Sequence, residues 1–198
     1  MPDNNTLLPA ARVPIWDKFT DFVSREWYRW FYNIYIAVEN GRRYGSYYDT
    51  TTQTLAAINT GYPITLNSVA TKINDGKLQY GVYLGVPTSR VYVDNTADYN
   101  IQFSLQLTSS SAAAKNVTIW LRVDEVDVPD SATVITLTGN NVNTVAAWNF
   151  LINLTAGHYF ELVWAADNTN VSIRSSAPTA YAPGIPGVIL TVTSLVGG

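Results

Sequence analysis

The sequence predicts an all-β fold, a jelly-roll β-sandwich with an N-terminal extended arm and one short helix. Three observations predict it. From residue 54 onward apolar residues recur with period two, the repeat of a strand that buries one face. Turn signals rich in Gly, Asn, Asp and Pro separate those runs, with no helical pattern between them. Only residues 24–39 keep a helical repeat. About eight to ten strands without intervening helices close as a sandwich or jelly roll.

Residues 1–22 contain Pro2, Pro9 and Pro14. Proline fixes its own backbone and pushes its predecessor towards extended forms, so an extended arm is expected. Leu7, Leu8, Val13, Ile15, Trp16, Phe19 and Phe22 make that arm too apolar for a solvated tail, and it is expected to lie against a partner. In 24–39, Trp27, Trp30, Phe31, Ile34, Tyr35 and Val38 form one apolar stripe at helical spacing. Ser24 suits the N-cap, and Asn40-Gly41 the stop. Tyr28 and Tyr32 lie off the stripe, so aromatic surface covers more than one face. An isolated helix this short cannot bury that surface. Residues 41–53, with Gly41, Arg42, Arg43 and Gly45, read as a linker. The expected units are therefore 1–53, for attachment or oligomerisation, and 54–198, the jelly roll.

Within the second unit the alternation is clearest over 99–107, 117–123, 148–154, 159–164 and 188–192. Shorter strands are expected at 55–59, 63–67, 80–85 and 91–94. Leu151, Val163 and Ile189 interrupt the polar side of their strands, and Trp120 stands among Thr118, Arg122 and Asp124. Together they predict a second buried surface, of the kind a symmetric homo-oligomer supplies.

Composition narrows the function. Charged residues are 14% of 198, the net charge is −3 and there is no cysteine. Thiol chemistry, disulfides and cysteine-based zinc sites are excluded. Residues 1–62 hold six basic and six acidic side chains, and the remainder six and nine, so neither part carries a basic footprint for nucleic acid. No stretch approaches the about 18 continuous apolar residues of a membrane helix. The N-terminus lacks the basic-then-apolar pattern of a signal peptide. A cytoplasmically made protein is expected, without membrane insertion.

Few residues suggest catalysis. His158, the only histidine, follows Gly157 in a tight turn with no nucleophile motif beside it. Asp124, Glu125, Asp127 and Asp130 are the densest acidic cluster, but their spacing is not that of an EF-hand, and Pro129 marks an ordinary loop. Asp124 and Glu161 could form a hydrolase pair only across a cleft that nothing in the sequence demands. No enzyme, cofactor or metal is expected. Trp120 is a candidate surface or interface aromatic, suited to stacking on a sugar or, preferably, to a subunit contact. The sequons at Asn116, Asn153 and Asn170 are incidental in an Asn/Thr-rich chain.

The run WNFLINLTAGHYFELVW (148–164) resembles the paired strands of the complement globular-head and tumour-necrosis-factor-like jelly rolls. YNIQFSLQL (99–107), VTIWLRV (117–123) and GIPGVILTV (184–192) are similar to further strands of those families. His158 replaces their usual turn aspartate, and their final Phe-Ser-Gly is absent. The leader SREWYRWFYNIY (24–35) resembles that of small structural proteins of tailed bacteriophages. These resemblances imply a homotrimeric virion protein, such as a head fibre, decoration or tail-fibre component. Its partners would be copies of itself and capsid or tail proteins, with Arg25, Trp27, Trp30, Phe31 and Ile34 as the anchoring residues. The alternative they leave open is a fibre-tip module that binds a host receptor or surface glycan.

Overall fold

The computed structural model describes residues 8–10, 12–39, 41, 43–71 and 76–195. Leu7, Asn40, Arg42 and the side chain of Val38 lie outside the described parts. The chain divides into two compact units, residues 1–42 and 43–197.

In the first unit β1 (Trp16–Asp17) pairs antiparallel with β2 (Phe22–Val23). An extended arm was expected here, and a hairpin is found. Its turn is built by aspartates, which bond the backbone two residues on and tolerate left-handed conformations. Asp17 accepts the Phe19 N–H at 2.9 Å, and Asp21 sits at φ 59°. The Trp16 indole N–H donates to Asp21 at 3.0 Å. Helix α1 (Arg25–Glu39) follows. Ser24 precedes it, and its carbonyl accepts the Tyr28 N–H at 2.9 Å, the first helical bond.

The second unit opens with β3 (Tyr44–Asp49), β4 (Gln53–Thr54), β5 (Tyr62–Pro63), β6 (Ser68–Val69), β7 (Gln79–Tyr80), β8 (Val82–Leu84) and β9 (Val91–Val93). Then come β10 (Ala97–Ser109), β11 (Lys115–Val123), β12 (Val126–Asp127), β13 (Thr133–Leu137) and β14 (Val142–Leu154). The last are β15 (Tyr159–Ala166), β16 (Val171–Ile173) and β17 (Val188–Ser194). One sheet runs β4-β16-β10-β17-β3-β6, with β14 on the other edge of β10 and β7 beside β3. The other runs β12-β11-β15-β9-β8, with β13 beside β11 and β5 beside β15. The principal strands thus form β3-β17-β10-β14 in one sheet and β9-β15-β11-β13 in the other. The chain passes from sheet to sheet between β9 and β10, β10 and β11, β13 and β14, β14 and β15, and β15 and β17. That is jelly-roll order.

The core follows from the period-two pattern. Tyr99, Ile101, Phe103, Leu105 and Leu107 of β10 point inward with Val188, Leu190 and Val192 of β17. They meet Val117, Ile119 and Leu121 of β11 and Phe160, Leu162 and Trp164 of β15. Each fully buried side chain of this size contributes about 1.5–3 kcal/mol. A one-residue slip would turn the whole set outward, so the register is fixed by the core.

Residues 41–53 were expected to be linker, yet they contain β3, held between β17 on one side and β6 and β7 on the other. Its inward residue Tyr47 is fully buried. The run YGSYYD offers tyrosine and glycine where a strand usually shows aliphatic residues. The strand expected at 55–59 is instead a turn, with Asn59 at φ 53°. Strands β13 and β16 are short and flanked by Thr, Asn and Asp, which hid them.

Candidate interaction surfaces

The N-terminal unit buries little of its aromatic content. Trp27 is half-buried and fixed by a 2.9 Å bond from its indole N–H to the Val13 carbonyl. Trp30 stands edge-on to it at 5.5 Å, and Phe31 lies 5.2 Å from Trp30. Tyr28 and Tyr32 stack one turn apart. Of the expected anchors, Trp27 and Trp30 are thus the inner pair, while Arg25, Phe31 and Ile34 are exposed. The hairpin adds residues that the helical stripe did not single out. Phe19, at its tip, is fully exposed, and Phe22 is 73% exposed. An apolar groove of about 360 Å³ runs beside them, walled by Val13, Pro14, Trp16 and Ser24.

In the β-module the outward face of β3, β17, β10 and β14 is open. It presents Asn100, Gln102 and Ser104 from β10, Ala147, Asn149 and Leu151 from β14, and Ile189 and Thr191 from β17. Leu151 is 65% exposed and Ile189 42%. These strands carry no Lys or Arg; Asp98 bonds the Asn153 amide, and Asp49 is buried on the core side. The edge of this face is β14, 13 residues paired only with β10. Its inward Trp148, Phe150 and Ile152 stay half-exposed because no further strand covers them.

Trp120 and Val163, predicted to share one surplus apolar surface with Leu151 and Ile189, belong to the other sheet. They are register partners on β11 and β15, and Val163 is fully buried. Gly61 meets both: a Cβ there would fall 2.8 Å from the indole and 3.2 Å from Val163. The Trp120 N–H donates to Asp127 at 2.8 Å. This patch is closed by the chain itself, whereas Leu151 and Ile189 remain open.

The polar residues singled out earlier form a braced turn. Asp124 and Glu125 both have positive φ, the two-residue turn between β11 and β12. Asp124 bonds His158 Nδ1 and accepts the Tyr159 N–H. Glu125 accepts from Arg90 at 2.6 Å, and Arg90 lies over the Tyr159 ring at 4.5 Å. Glu161 is buried and accepts from Ser89 at 2.6 Å. The hydrogen bonds from Arg122 and Trp120 hold the Asp127 carboxyl below the usual carboxylate range. Arg90 lies between Glu125 and Glu161, at 2.6 and 3.8 Å, and among the described residues no group of three or more His, Asp or Glu gathers as a metal would need.

The fold and these surfaces define a jelly-roll module preceded by an aromatic hairpin–helix unit. No family model and no curated protein matches the chain. Two crystal structures of murine APRIL, at pH 8.5 and pH 8.0, are similar to it with TM-scores of 0.47 and 0.48 and identities of 10% and 9%. Each alignment covers 78% of this chain and 99% of the other. At that level the likeness adds nothing to the sheet order already described.

Proposed function

We propose that the chain is a non-enzymatic structural protein of a phage virion. Its jelly roll assembles as a homotrimer, and its N-terminal unit attaches it to the particle as a head fibre, decoration or tail component. The observation that carries the reading is the open face of β3-β17-β10-β14, which has no Lys or Arg and a single exposed carboxylate, Asp98, bordered by the unpaired β14 edge. A long strand edge without Lys or Pro invites pairing with other chains unless it is covered. Low charge with scattered apolar residues is the composition of an interface core. A neighbour laid against the Trp148–Phe150 edge, repeated around an axis, would cover face and edge together.

Attachment rests on a separate observation. Phe19, Phe22, Phe31 and Tyr28 are exposed on a unit too small to bury them. Clustered aromatics dominate protein contacts when a partner desolvates them. The test is the solution mass of the full chain beside that of a Leu151→Asp/Ile189→Asp variant, followed by assembly of each onto particles made without the protein. A trimer that the double variant disrupts, with assembly of the unaltered chain, supports the reading. A monomeric unaltered chain removes it.

A further inference from the structure

A groove lies at one end of the β-module, under residues 174–187. Two adjoining hollows of about 300 and 560 Å³ share Ser176 and Ile185 in their walls and are taken together as one trough. Its frame is made of backbone bonds. Ser176 and Ile185 exchange both of theirs at 2.9 Å. The Arg174 N–H donates to the Gln106 carbonyl at 2.7 Å, and the Gly187 N–H to the Asp49 carbonyl at 2.9 Å. The trough is thus preformed, which lowers the ordering cost of binding.

The walls have an unusual chemistry for this protein. The side chains of Tyr48, Gln106, Asn143, Arg174 and Ser176 form no hydrogen bond or ion pair with any described residue. Among the described residues Arg174 is the only charged one lining the trough, and no carboxylate lines it. The other wall is apolar: Ile185 with Pro178 and Pro186. Nearby β16 is paired on both sides, with β10 and β4, so it offers no free edge to an extended peptide.

We propose that this trough binds an acidic saccharide, one whose sugar ring carries a carboxylate. Amides, a hydroxyl and a phenol match sugar hydroxyls, which both donate and accept. Tyr48 and the two prolines match the apolar ring faces. The planar guanidinium of Arg174 pairs the carboxylate with two parallel bonds. Tyr48, Gln106 and Asn143 lie on the outward side of β3, β10 and β14, beyond Ser104 and Ile189 on the face assigned to the trimer contact, so the inference rests on that contact leaving this end of the face open.

The test is ligand-observed NMR titration of the full-length protein with 3′-sialyllactose and with tetragalacturonate, using lactose as the neutral match. At least one acidic probe binds and lactose does not. Arg174→Ala weakens that binding about ten- to hundredfold, the value of a charged hydrogen bond. Arg174→Lys restores part of it, and Asn143→Ala provides a second, independent loss. The solution mass stays unchanged in all three variants, so the loss of binding is read separately from any change in the trimer contact. Binding of neither acidic probe, equal binding of lactose, or unaltered affinity in Arg174→Ala overturns the proposal.

Discussion

Phe103 and Trp148 are register partners across the β10–β14 ladder, and their rings meet edge-on with centroids 4.6 Å apart. Such a pair contributes about 0.5–1.5 kcal/mol beyond its buried area. Phe103 is almost completely buried, while Trp148 is not, because β14 is the last strand of its sheet. The core therefore runs out through this pair to the β14 edge, which no strand of the β-module covers. Leu151→Asp with Ile189→Asp, on the outward face, places carboxylates where the neighbour would lie and leaves the pair intact. The double variant is expected to keep its β-sheet circular dichroism and to fall to monomer mass in light scattering.

The N-terminal unit is a compact body distinct from the β-module. Replacing Trp30 and Phe31 by alanine should leave the unfolding transition of the β-module in place while lowering incorporation into particles. Replacing Phe19, which nothing in the described structure covers, should lower incorporation with no effect on either unit's fold. Normal incorporation of both variants would remove this surface as the anchor.

Tyr47 and Tyr99 are both buried in the core, but their hydroxyls differ. Tyr99 donates to the Asn95 carbonyl at 2.8 Å, and burial, with a smaller effect of the Asp94 charge, pushes it up to about 12. The Tyr47 hydroxyl has no partner, and burial alone raises it well above the ordinary value. Tyr47→Phe should be neutral or stabilising by about 1 kcal/mol in urea unfolding, since it removes an unsatisfied polar group. Tyr99→Phe should cost about 1 kcal/mol for the lost bond.

The same two residues set an alkaline limit. Their folded-state values lie above the unfolded one, so the folded protein keeps protons that the unfolded chain releases. This stabilisation is complete below the ordinary tyrosine value of about 10 and is lost as pH rises through the folded values. Thermal unfolding followed between those limits should show a falling midpoint, with a shallower fall in Tyr99→Phe.

Gly61 is held to glycine by contact. Gly61→Ala would set a methyl against both the Trp120 ring and Val163. Destabilisation of about 1–3 kcal/mol is expected from overpacking. Chemical unfolding monitored by tryptophan fluorescence measures it directly.

The strands legible from the sequence are those where one face is aliphatic and the other polar. Strands β10, β11, β14 and β17 meet that condition, β15 alternates but is buried on both faces, and the inward residues of all five form the core. Strand β3 does not, because tyrosines fill the inward and outward sites alike, and only pairing with β17 reveals it. The helix was legible from the spacing of its aromatics, and the hairpin was not, because its turn depends on two aspartate side chains. Surplus apolar residues were visible at Trp120, Leu151, Val163 and Ile189. Their division between a closed patch and an open face depends on which sheet each strand joins. The trough draws on Tyr48, Gln106, Asn143 and Arg174, four separate stretches that share no local motif and meet only in the fold.

The most direct test of the threefold assembly is the solution mass of the full chain and of residues 43–197, by light scattering on a sizing column. The shorter chain keeps β3, which the central sheet requires. Trimer mass for both is expected, because the face and edge that self-associate lie in the β-module. A monomer at residues 43–197 would contradict the assignment of the interface to the jelly roll, and a monomer for both chains would contradict the trimer itself.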